Sequence, residues 1–188
     1  MTLAQSLTRV ALATAFLLLI PLVAMQFTRE VVWTLADFIV AGGLLVGAGL
    51  TYVLIARLGT TATYRVAVGV AVLAGFLLVW ANLAVGLVGS EHNPLNLLYG
   101  GVLAVAGIGA LGARFRPLGM ARAMFGAALA YVLVTAVALF LWPPAGSTAE
   151  PAANFVHVLV ANAAFAALWA VSGWLFWRAS TAGAALRQ

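Results

Sequence analysis

Apolar residues run along this chain in long stretches, each broken by a short cluster of glycine, proline or charge. There is no sustained alternation of the kind a half-buried strand shows. Six stretches stand out, near residues 10–27, 31–56, 65–89, 96–113, 119–142 and 155–177. At a rise of about 1.5 Å per residue each can cross a hydrocarbon core of about 30 Å, the fourth only just. The connections are short, so neighbouring helices must run antiparallel. The pattern predicts an all-α integral membrane protein, a single six-helix transmembrane bundle filling residues 1–188.

Composition excludes the main alternative. Of 188 residues 65% are hydrophobic and 7% charged, with a mean hydropathy of +1.14. A soluble domain carries about a quarter charged residues and could not hide this much apolar surface. Cysteine is absent, which excludes disulfides, thiolate metal sites, cysteine nucleophiles and covalent c-type haem.

The net charge of +5 comes from nine basic residues, all arginine. In a membrane protein such a surplus orients the chain, and no nucleic-acid partner is expected. Arg9, Arg57, Arg65, Arg114, Arg116, Arg122, Arg178 and Arg187 fall on one side of the predicted spans, and Arg29 alone on the other. That asymmetry places both termini in the cytoplasm. Glu30, Glu91 and Glu150 all fall opposite the arginines. Arg9 before an apolar run resembles a signal peptide, but cleavage after Ala24 would put the bulky Leu22 at the −3 position. The first segment is therefore expected to be an uncleaved span, kinked at Pro21.

Local signals mark the ends of the segments. Thr28 with Glu30 is expected to open the second helix, Asn93-Pro94 the fourth and Asn154 the sixth. Trp142-Pro143-Pro144 should stop the fifth, and Trp174, Trp177 and Arg178 should anchor the sixth at the membrane surface. Arg114-Phe115-Arg116-Pro117 reads as a tight basic turn.

Ionisable and amide groups within spans are the informative chemistry of such a chain. Asp37 is the one acid inside a predicted span, six residues past Val31 and so about 9 Å below the outer boundary. Asn82 is expected at a similar depth, on one face of the third helix with Gly75, Gly86 and Gly89. His157 enters from the outer end of the sixth helix in a stripe with Ala161, Ala164 and Ser172, Asn162 pointing elsewhere. Asn96, Gly100 and Gly107 align on the fourth. These positions predict a polar pocket in the outer half of the bundle, with Asp37 as charged anchor, Asn82 and His157 beside it, and the loop bearing Glu91 and His92 as a cap.

The expected role is recognition or transfer of a small ligand or ion at that pocket. An accessory or structural membrane subunit, whose polar groups only fix helix packing, is the alternative from a different class. A metal site is a third, with His92 and His157 as candidate ligands and Asp37 and Glu91 as oxygen donors, though without a defined spacing. Haem held between the two histidines suits a loop residue poorly. No triad or paired-carboxylate signature marks an enzyme. Conduction would need polar groups through the inner half, which offers little beyond Thr51, Tyr52 and Ser172. Expected partners are the bilayer, a lipid or small-molecule ligand, and a membrane-protein partner or a second copy.

Val31-Val32-Trp33 with Asp37-Phe38, then Trp80-Ala81-Asn82-Leu83-Ala84-Val85-Gly86 leading to Gly89-Ser90-Glu91-His92-Asn93-Pro94, resemble an uncharacterised family of small polytopic bacterial inner-membrane proteins. The likeness covers residues 31–122, and its most specific part is the Gly-Ser-Glu-x-Asn-Pro segment. It implies a multi-pass protein of the bacterial inner membrane and no particular activity.

Overall fold

The computed structural model describes residues 2–88, 93–141 and 155–185. These form six α-helices: α1 (Leu3–Phe27), α2 (Leu35–Ala56), α3 (Ala62–Ala84), α4 (Tyr99–Gly112), α5 (Pro117–Leu141) and α6 (Phe155–Ala185). A 3₁₀ turn, Pro94–Leu98, leads directly into α4. All six, counting that turn with α4, are long and apolar enough to cross a membrane. The chain is a multi-pass membrane protein.

The helices divide into two compact units, residues 1–57 and 58–188. In the first, α1 and α2 form a hairpin. α1 starts seven residues before the apolar run, because Thr2 and Gln5 make a reciprocal capping box that satisfies its first amides. It continues through Pro21 to Phe27. The Arg57 guanidinium at the end of α2 donates to the Ser6 hydroxyl at 3.0 Å and ties the hairpin near its open end.

In the second unit α5 packs against both α4 and α6, and α6 against α3. Tyr64, Val68, Leu78, Tyr99, Val102, Tyr131 and Phe176 are fully buried and make its core. Near the start of α3 the Tyr64 ring meets Phe176 of α6 edge-on, with centroids 5.1 Å apart. Farther along, the Ser172 hydroxyl donates across to the Ala67 carbonyl at 3.0 Å, which fixes the register of α3 on α6. The backbones of α4 and α5 approach so closely at Gly109 that a Cβ there would lie 2.7 Å from that of Ala123. Only glycine permits that separation.

The predicted basic turn forms between α4 and α5. Arg114 and Phe115 both adopt left-handed backbone, with φ of 50° and 57°. For residues with a Cβ this costs on the order of 1–2 kcal/mol each. The turn is held by the Phe115 amide on the Ala110 carbonyl at 3.1 Å and by the Tyr64 hydroxyl, which donates to the Phe115 carbonyl at 2.8 Å. Tyr64 thus fastens the Arg114–Arg116 corner to the start of α3.

Two helix boundaries near the expected site residues differ from the expected ones, each for a local reason. The Thr28 hydroxyl accepts from the Glu30 amide in a turn at 3.0 Å, but α2 opens four residues past Val31, capped by Thr34. α3 ends at Ala84 because Gly86 takes a φ of 72°, a left-handed conformation that glycine reaches without strain, and its amide closes on the Ala81 carbonyl. Gly86 therefore stops the helix instead of extending its small-residue face. The Asn93-Pro94 signal does start a helical segment, with the Asn93 side chain accepting from the Leu95 amide at 2.9 Å.

Candidate functional site

The moved boundaries change what Asp37 and Asn82 are. Asp37 occupies the third position of α2, where its Oδ2 accepts from the Thr34 amide at 2.7 Å and the Thr34 hydroxyl at 2.8 Å. The Thr34 oxygen in turn accepts from the Asp37 amide, completing a capping box. A carboxylate in the first turn also suits the positive end of the helix dipole. Asp37 is exposed, in the terminal turn, not two turns inside a helix. Asn82 lies in the last turn of α3, donating through Nδ2 to the Leu78 carbonyl at 2.8 Å. Its Oδ1 is buried and has no hydrogen-bond partner. Asp37 belongs to the 1–57 unit and Asn82 to the 58–188 unit.

The remaining expected site residues fall elsewhere. Glu91 and His92 lie outside the described residues, as does Asn154. His157 is on α6, but its side chain is outside those described. Its expected neighbours Ala161 and Ala164 are exposed, whereas Asn162 is buried in a stripe with Trp169, Ser172, Phe176 and Ala179. The spacing of that stripe is that of one helix face packed on a core.

Around Asn162 the structure builds a polar cluster from three helices. The Tyr99 hydroxyl, at the first residue of α4, donates to Asn162 Oδ1 at 2.6 Å. The Thr135 hydroxyl of α5 lies 3.2 Å from the same oxygen and 2.9 Å from the Tyr131 carbonyl, two acceptors for one proton. The Tyr131 ring tilts against Tyr99 with centroids 5.1 Å apart and stacks on Phe165 at 5.7 Å. Its own hydroxyl is buried without a hydrogen-bond partner. Asn162 is seven residues into α6 and Thr135 six residues before the end of α5, so the cluster sits about 10 Å below those helix ends.

The entry to α4 is pinned nearby in sequence. Asn96 Oδ1 accepts from the Leu87 and Val88 amides, each at 3.0 Å, and its Nδ2 donates to the Val88 carbonyl. Asn96 therefore faces the chain leaving α3, not a stripe with Gly100 and Gly107. This lock fixes the start of α4 and with it the aim of Tyr99.

In a bilayer core an interhelical hydrogen bond averages about 0.6 kcal/mol and reaches about 1.7. A buried polar atom left unpaired costs about 1–3 kcal/mol. The cluster joins three helices through one side-chain oxygen, while Tyr131 Oη and Asn82 Oδ1 keep unused hydrogen-bonding capacity. Trp169 Nε1 and Asn93 Nδ2 are likewise buried without a hydrogen-bond partner. Among the described residues no group of three or more His, Cys, Asp or Glu side chains could hold a metal ion.

Tyr99, Tyr131 and Thr135 were not among the residues expected from the sequence. A signal was available: Tyr131 and Thr135 stand four apart, on one face of an otherwise apolar helix. No protein-family model, curated protein or solved structure matches the chain.

Proposed function

We propose that the chain recognises a small polar ligand or ion in the half of the membrane that holds the Asn162 cluster and Asn82. The observation that carries this reading is two buried, unpartnered oxygens, Asn82 Oδ1 and Tyr131 Oη, among the four buried side-chain atoms left without a hydrogen bond in the described residues. An unpaired buried polar atom would gain a hydrogen bond from a bound species that reached it. Glu91, His92 and His157 remain candidate supporting groups in this proposal; Asp37 remains a separate candidate within the 1–57 unit, where Thr34 already engages its carboxylate. The membrane is the bacterial inner membrane, by the resemblance of segment 89–94. The eight-to-one distribution of arginine puts both termini in the cytoplasm and the polar half toward the periplasm.

A second reading, an accessory membrane subunit without a ligand, is favoured by a different observation. Asp37 caps its own helix, and Asn162 Oδ1 is already filled by two hydroxyls. Ligand-dependent thermal stabilisation of the purified chain separates the two. The panel comprises inorganic ions, small carboxylates, amines and polyols, applied to the natural chain and to Asn82→Ala and Tyr131→Phe.

A further inference from the structure

At the opposite end of the 58–188 unit, α3 and α6 enclose a groove of about 630 Å³. Its polar lining is Thr63, Arg178 and Thr181, its apolar lining includes Val66 and Leu175, and no carboxylate lines it. α3 begins at Ala62 and α6 ends at Ala185. Along the axis Thr63 is therefore about 2 Å and Thr181 about 6 Å from these helix ends, with Arg178 about 10 Å in and Val66 and Leu175 about one turn deeper than Thr63 and Arg178. The groove is polar toward the helix ends and apolar about one turn deeper.

Its field is positive. The Arg178 guanidinium lies over the Trp174 ring at 4.8 Å, an arrangement suited to the interface. The Tyr64 hydroxyl brings the turn bearing Arg114 and Arg116 to this same end. The Thr181 hydroxyl donates to the Arg178 carbonyl, which leaves the guanidinium and the Thr63 hydroxyl as the donors for a bound anion.

We propose that this groove binds one anionic phospholipid, its headgroup phosphate on Arg178 and Thr63 and an acyl chain along Val66 and Leu175. A free phosphate would use the first pair of contacts and leave the apolar walls without a partner. A zwitterionic lipid would fill the walls but gain less from the basic end.

The test is native mass spectrometry of the full chain in a mild non-ionic detergent, with equimolar phosphatidylglycerol and phosphatidylcholine of identical acyl chains. The expected result is about fivefold preferential retention of phosphatidylglycerol, the effect of one basic residue at a membrane surface. Arg178→Gln should abolish the preference and Arg178→Lys should keep part of it. Arg122→Gln, which removes the same charge from an exposed residue outside the groove, should leave it intact. Equal retention of the two lipids, an unchanged preference in Arg178→Gln, or an equal loss in Arg122→Gln would overturn the assignment. Displacement of the lipid by excess inorganic phosphate would assign the contacts to a free anion instead. Circular dichroism of each variant checks that the helices are intact.

Discussion

The Tyr99 hydroxyl donates to Asn162 Oδ1 at 2.6 Å, joining the first residue of α4 to a position two turns into α6 across 63 positions of sequence. α5 joins the same two helices through Thr135, whose hydroxyl also reaches Asn162 Oδ1. A double-mutant cycle with Tyr99→Phe and Asn162→Ala should return a coupling of about 0.6–1.7 kcal/mol in reversible unfolding from detergent. Thr135→Val should cost less than Asn162→Ala, because the Thr135 proton has a second acceptor in its own helix.

Asp37→Ala removes both acceptor contacts to Thr34 and should loosen the start of α2. Amide hydrogen exchange should accelerate at Asp37 and Phe38 while that of α3 to α6 is unchanged. Asp37→Asn should have a smaller effect, since an amide oxygen still accepts from Thr34 but without the favourable charge at the helix start. Slower or unchanged exchange in Asp37→Ala would remove the capping role.

Two glycine substitutions should diverge. Gly86→Ala forces a Cβ into left-handed backbone at the end of α3 and should destabilise by about 1 kcal/mol. Gly100→Ala meets nothing within 4 Å on an ordinary helical backbone and should be neutral or stabilise by about 0.5 kcal/mol. Thermal unfolding of the two variants side by side measures the difference.

The absence of cysteine makes the proposed orientation directly measurable. A single cysteine at Arg116→Cys should resist a membrane-impermeant maleimide in intact cells and react once the inner membrane is permeabilised. Ser90→Cys should react before permeabilisation. The reverse pattern would invert the topology.

The six spans were legible in the sequence because burial in lipid demands long apolar runs, and the Asn93-Pro94 start and the Arg114–Pro117 turn were legible from local chemistry. The start of α2 was not. Val31-Val32-Trp33 continues the apolar run, so hydropathy alone extends the helix through it, whereas Thr34 and Asp37 form the box that sets the first turn. That shift of four residues puts Asp37 in the first turn of α2, where it caps the helix. At the end of α3, Gly86 read as packing until its φ identified a stop. The Asn162 cluster was harder still. Its members come from three helices, and which helices adjoin depends on packing of apolar faces that a single sequence does not order.

Thermal stabilisation of the purified full chain by ions and small polar molecules is the most direct measure of the proposed recognition. At a hundredfold excess over Kd, a bound species should stabilise the natural chain by roughly 2.7 kcal/mol. The account predicts that at least one member of the panel does so, and that Asn82→Ala or Tyr131→Phe loses the effect while Asp37→Asn retains most of it. A panel that stabilises none of the proteins, or one whose effect is equal in the natural chain and in both the Asn82 and Tyr131 variants, would contradict ligand recognition at these buried oxygens.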